Sequence, residues 1–160
     1  MKYELFFSTH SVSEINPAVS TLAAALPSWI IDEEDKDRYR SLQPRDFVIV
    51  FSQQARTELT SAELEAIIAH ELGHLVEGHL SDENLAKGIQ YRDSNEIQAD
   101  AYAIAKCGAH ALYSGLRKVA KLSVAATAQQ DNLTSVQVIG ALRAAARQIA
   151  PRLAAIRAAM

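Results

Sequence analysis

Hydrophobic and polar positions along the chain change period several times, and each change marks an element. Residues 2–8 (KYELFFS) are rich in aromatics and read as a short strand. Asn16 or Ser13, followed by Pro17 at a favoured first position, predicts a helix over 17–26 that Pro27 ends. Residues 32–46 (DEEDKDRYRSLQPRD) are charged and read as an exposed loop or a short helix. Residues 47–51 (FVIVF) are an unbroken run of β-branched and aromatic side chains, the best strand candidate. The period then becomes helical: Leu64, Ile67, Ile68, Leu72 and Leu75 share one side of a helix over 61–77. Thr60 and Glu63 have capping-box spacing at its start, and Gly78 is a natural stop. Residues 79–92 read as a loop with one turn at most. Asp93 or Ser94 caps a helix over about 94–107, Gly108 ends it, and 109–122 form another. A polar break at 127–133 precedes a second capping-box pair, Thr134 and Gln137. From there to Met160 the chain is rich in Ala, and Pro151 is expected to divide it into two helices.

The elements add up to a single α+β domain over residues 1–160, mostly helical, with a small sheet beside the helix at 61–77. Its core lies in about 1–126 and its Ala/Arg-rich C-terminal segment in about 134–160. A length of 160 residues, 49% apolar and 22% charged, supports a buried core and excludes a disordered chain. Cys107 is the one cysteine, which excludes an intrachain disulfide and a multi-cysteine zinc site. Glu4 interrupts what would be the apolar core of a signal peptide, and no apolar run is long enough to span a bilayer. The expected location is the cytoplasm, with no membrane span. Charge is unevenly placed. Residues 1–100 carry 18 acids and 8 bases, whereas 101–160 carry 1 acid and 8 bases. With a pI near 5.9 and no interleaved aromatics, the basic segment reads as a surface that packs on the acidic half, and no nucleic-acid partner is expected.

The chemistry lies at 70–74, HELGH, in the middle of the clearest helix. His70 and His74, four apart, project from one face, and two neutral imidazoles at that spacing can share a zinc ion. Glu71 stands beside the ion, where it can take a proton from a zinc-activated water and pass it to a leaving amine. With 5 His and 11 Glu in 160 residues, chance placement gives an H-E-x-x-H in roughly 1% of such chains. A hydrolytic zinc site takes a third protein ligand. Glu96 can supply it from the next helix, with Asp100 one turn later accepting a hydrogen bond from the far nitrogen of a ligating histidine. His79 competes for the third place. It sits one residue short of the extended H-E-x-x-H-x-x-G-x-x-H spacing, which also lacks its glycine here, and reads as flanking the helix end.

HELGH followed by a helix bearing Glu-x-x-Ala-Asp resembles the gluzincin zinc peptidases, in local wording the HtpX and CAAX-prenyl-endopeptidase type. LTSAELEAIIAHELGHLVEGH (59–79) is similar to that family's active-site helix, NEIQADAYAIAKCG (95–108) to its glutamate helix, and FVIVFS (47–52) to the strand lining its cleft. The resemblance covers about 47–122. It implies a zincin-like fold and Zn2+ on His70, His74 and Glu96, with Glu71 as general base. It also implies hydrolysis of peptide bonds in a peptide or protein substrate lying along the 47–51 strand by edge pairing. The ImmA/IrrE-type peptidases are a second resemblance, with the same chemistry on a different substrate. A catalytically silent, zinc-stabilised peptide-binding module is the alternative from another class. The family often stabilises its oxyanion with a downstream His, Arg or Tyr; Tyr102, His110, Tyr113, Arg117 and Arg143 stay open for that role. The basic tail reads first as a plain structural helix pair or dimer contact; the hypothesis set beside it is that the tail packs on the acidic half and covers the cleft, keeping the enzyme latent. Oligomeric state is left open.

Overall fold

The structure is a computed structural model and describes residues 3–8, 23–27, 46–86, 93–128 and 134–160. Three strands, β1 (Tyr3–Ser8), β2 (Ala23–Pro27) and β3 (Phe47–Ser52), form one sheet in the order β1-β3-β2. β3 runs parallel to β1, with Tyr3 opposite Phe47, and antiparallel to β2, with Ala25 opposite Ile49. Val48, Ile49, Val50 and Phe51 are all buried. A central strand covered on both faces needs no polar alternation, which is why its sequence is a continuous apolar run.

Among the described residues six helices follow: α1 (Gln53–Glu58), α2 (Ser61–Val76), α3 (Asp82–Ala86), α4 (Asp93–Cys107), α5 (Ala109–Ala128) and α6 (Ser135–Ala158). The molecule is therefore α+β and mostly helical, with its small sheet beside α2, as the sequence pattern predicts. α2 is the central element, packing on α4, α5 and β2. Its capping box is complete, with the Thr60 hydroxyl accepting from the Glu63 N–H and the Glu63 carboxylate accepting from the Thr60 N–H. Gly78 stops the helix at a φ of 72°, a left-handed conformation that favours glycine. The shared core includes Phe51, Ala66, Ile67, Ala103, Leu112 and, from α6, Ile156.

Two expectations are corrected. The helix over 17–26 fails at Ala23–Pro27, which is β2; residues 17–22 lie outside the described residues. Three consecutive alanines favour a helix locally, but pairing with β3 overrides so weak a preference. Pro27 is tolerated because β2 is an outer strand of the described sheet. Nor does Pro151 divide the C-terminal segment, since α6 runs through it. Pro151 is exposed, while Ile149, Leu153 and Ile156 on both sides of it pack on one core and hold the axis through the break. All but Asp46 of the predicted loop at 32–46, residues 87–92 and residues 129–133 of the polar break lie outside the described residues. Among the described residues, no helix is long and apolar enough to cross a membrane.

Candidate metal centre

α2 and α4 bring the predicted ligands together because their backbones nearly touch. A Cβ on Gly73 would lie 2.8 Å from the Ala99 Cα and 3.0 Å from its carbonyl oxygen. Glycine inside the HELGH motif is thus a packing requirement. On α4 the small residues Ala99 and Ala103 are fully buried against that contact, and Glu96 and Asp100 share their face. Nε2 of His70 and Nε2 of His74 are 3.2 Å apart. Glu96 closes the triangle, with Oε1 3.3 Å from His74 Nε2 and Oε2 3.4 Å from His70 Nε2.

The two imidazole nitrogens have nearly the separation a zinc ion requires, and one ligand atom from each of the three side chains lies within 4.8 Å of the others. Ligand bonds of about 2.0–2.1 Å in a tetrahedral site separate donor atoms by about 3.3–3.4 Å. Two imidazole nitrogens and one carboxylate oxygen also leave one position of the tetrahedron open, as a hydrolytic site does. His70, His74 and Glu96 are the group of ligating side chains that the described residues bring close enough to share an ion.

Each imidazole is oriented from behind. Asp100 Oδ1 lies 2.9 Å from His70 Nδ1, the contact the four-residue spacing of Glu96 and Asp100 predicts. His79 is buried and is not a member of the triangle; its Nδ1 lies 3.0 Å from His74 Nδ1, and its Nε2 lies 2.8 Å from Gln98 Oε1. With His74 Nε2 turned to the triangle, one proton assignment satisfies the chain. His74 Nδ1–H donates to His79 Nδ1, and His79 Nε2–H donates to Gln98. His79 thus stands behind His74, where the sequence suggested a residue flanking the helix end. The missed signal is Gly78, whose left-handed turn carries position 79 back under the helix.

Electrostatics favour a cation. Burial pushes His70 down, but the Asp100, Glu96 and Glu71 carboxylates outweigh it and raise it to about 9. A metal ion held by His70 would take the place of that proton and supply the positive charge these carboxylates favour. Burial pushes Glu96 and Asp100 up, yet His70, His74 and Arg152 hold Glu96, and Arg152 and His70 hold Asp100, below the usual carboxylate range.

Arg152, from α6, is the functional residue the sequence did not single out. Its Nη1 lies 2.6 Å from Glu96 Oε2, and its Nη2 and Nε donate to Asp100 Oδ1 and Oδ2 at 2.8 and 2.9 Å. The hint in the sequence was the charge split, with a basic segment that needed acidic partners. Of the open oxyanion candidates, Tyr102 has Lys106 over its ring, Tyr113 has Arg117 over its ring, and His110, Arg117 and Arg143 are exposed.

Glu71 is buried, and its Oε2 accepts a 2.9 Å hydrogen bond from the Ala25 N–H of β2. Among the described residues no hydrogen bond falls on its Oε1. The outer edge of the sheet at the site is therefore β2. This corrects the expectation that a substrate pairs with 47–51: β3 is already paired on both sides and has no edge to offer.

Residues 39–91 match the model of peptidase family M48. The matched segment contains β3, α2 and the HELGH motif and ends short of Glu96 and Arg152. No curated protein and no solved structure matches the chain. Zinc metallopeptidase chemistry is what this match supports.

Proposed function

We propose that this chain is a zinc-dependent metalloendopeptidase of the gluzincin type, similar in its motifs to the HtpX and CAAX-prenyl-endopeptidase kind. The carrying observation is the cluster of His70, His74 and Glu96: the two Nε2 atoms are 3.2 Å apart, and Glu96 sets Oε1 3.3 Å from His74 Nε2 and Oε2 3.4 Å from His70 Nε2, so that one atom from each side chain lies within 4.8 Å of the others. Zinc bound there would polarise a scissile carbonyl and make water nucleophilic near neutral pH. Glu71 follows His70 in the same helical turn, and its Oε1 is the oxygen that takes a proton from water and later gives it to the leaving amine. The Ala25 N–H fixes the other oxygen, so the carboxylate has one orientation in which to work. Asp100 and the His79–Gln98 pair hold the two imidazoles in the tautomer that directs Nε2 at the ion. An extended peptide laid along the outer edge of β2 would place its backbone beside Glu71, replacing or joining the Ala25 contact.

The test is Glu71→Gln beside the wild type. Expected is one equivalent of zinc in both and cleavage of an unstructured protein substrate by the wild type alone, with a loss of about 10²–10⁴-fold or more in the variant. Zinc without cleavage in the wild type would favour the silent peptide-binding module. Absence of zinc from the reconstituted wild type would remove the peptidase reading altogether.

A further inference from the structure

We infer that Arg152 is a positioning residue of the metal centre, so that the basic C-terminal helix forms part of the site. This rests on the metal site proposed above. Four contacts carry it. One face of the guanidinium takes both oxygens of Asp100 through Nε and Nη2, and Nη1 takes Glu96 Oε2. Nη2 also comes within 3.4 Å of the His70 ring nitrogens. One planar cation thus ties the third ligand, Glu96, to the residue that orients the first, Asp100 behind His70. The division of Glu96 is what matters. Oε2 lies between Arg152 Nη1 at 2.6 Å and His70 Nε2 at 3.4 Å, while Oε1 faces His74 Nε2 at 3.3 Å. Arg152 thereby fixes the orientation of a flexible glutamate toward the two imidazoles.

The guanidinium is delivered rigidly. Ile156, one turn further along α6, is 1% exposed in the common core, and Leu153 packs against it. The Arg152 side chain itself is 14% exposed. The basic segment therefore meets the acidic half at the carboxylates of the site, and a lysine there would not reproduce the contact. Its ammonium is a point charge, whereas Arg152 uses a fork across two side chains.

The sign of one measurement decides between positioning and mere proximity. A cation standing near a dication repels it, so its removal would tighten zinc binding. A cation that aims Glu96 and Asp100 supports binding, so its removal weakens it. Zinc affinity is measured by chelator competition on the full chain for wild type, Arg152→Met and Arg152→Lys, with Arg143→Met as a control from the exposed side of α6. Expected is a 10–100-fold loss in Arg152→Met, a smaller loss in Arg152→Lys and none in the control. The visible spectrum of the cobalt-substituted protein shifts in Arg152→Met, because Glu96 is no longer held in one orientation. Combining Arg152→Met with Glu96→Gln gives less than the sum of the two losses, since Arg152 acts through Glu96. Affinity that is unchanged or tighter, or losses that simply add, overturns the inference while the zinc-peptidase reading stands. A wild type that binds no zinc overturns that reading instead. A cooperative thermal transition of the metal-free variants checks their fold, and Arg152→Lys carries the test should Arg152→Met lack one.

Discussion

α2 and α6 begin with the same signal and come to opposite ends. Each opens on a threonine whose hydroxyl and N–H exchange hydrogen bonds with a residue three positions on, Thr60 with Glu63 and Thr134 with Gln137. In α2 the box is drawn inward. Glu63 is buried, and its carboxylate also accepts from the Ser114 hydroxyl and from the Lys118 ammonium of α5. In α6 the box stays exposed, with Val136 and Ile139 beside it in solvent. α2 buries both imidazoles and Glu71; α6 reaches the same site with one long side chain near its far end. A capping box fixes where a helix starts. What the helix then does is decided by the neighbours its remaining residues can bury against.

The first way to break the comparison is at Gly73, where α2 has no room for a side chain. Gly73→Val puts carbon into the Ala99 backbone, which cannot yield without moving α4. Expected is a loss of about 3 kcal/mol in stability from overpacking. Because Glu96 lies one turn from Ala99, zinc affinity falls by on the order of a hundredfold. Urea unfolding and chelator competition check the two effects. Full affinity in a folded Gly73→Val chain would mean that the α2–α4 contact does not set the ligand triangle.

Local spacing made half of this site readable. His70 and His74 four apart, and Glu96 and Asp100 four apart, lie on helix faces whose geometry the chain itself determines, so the two pairs that the fold brings together were visible in the sequence. Two contributors were hidden because they depend on how the chain folds back. His79 returns to His74 only through the left-handed turn at Gly78. Arg152 lies 52 residues beyond Asp100, with no spacing to connect them. The fold divides the same way. β1, β3, α2 and α4 were legible from apolar period and caps. β2 was not, because an alanine run becomes a strand only when β3 offers it a partner. That same pairing makes β3 central and leaves β2 as the edge beside Glu71, which no reading of FVIVF alone could reveal.

A second prediction sharpens the contrast through pH. Burial pushes the Glu63 carboxyl up, but Lys118, Ser114 and the Thr60 N–H and hydroxyl outweigh it and bring it down to about 2 from a usual 4.5. A carboxyl depressed on folding stabilises the fold fully above its unfolded value. That contribution is lost as pH falls from 4.5 through about 2. Glu63→Gln is therefore expected to cost about 1–2 kcal/mol at neutral pH, discounted for the partly exposed ammonium of Lys118. The gap to wild type closes as the solution is acidified to pH 2. Thermal melts across that range check it, and a gap that does not change with pH would remove the charged network from the account of α2.

The smallest effect belongs to the other box. Gln137 carries no charge, and the hydrogen bonds between Thr134 and Gln137 are exposed. Thr134→Ala is expected to cost about 0.5–1 kcal/mol, the ordinary worth of an exposed helix cap. The loss is the same at pH 7 and pH 3, since nothing in the box titrates between them. Zinc affinity stays at the wild-type value. Between Thr134 and Arg152 lie more than four turns of helix, and the anchors beside Arg152 are Leu153, packed on the core, and Ile156, buried in it, both beyond the proline. Fraying at the N-terminus of α6 therefore stops well short of the guanidinium. Melts at the two pH values and one chelator titration suffice. Should Thr134→Ala weaken zinc binding, α6 would be acting as one cooperative rod from cap to site, and its exposed first half would belong to the metal centre as much as α2 does.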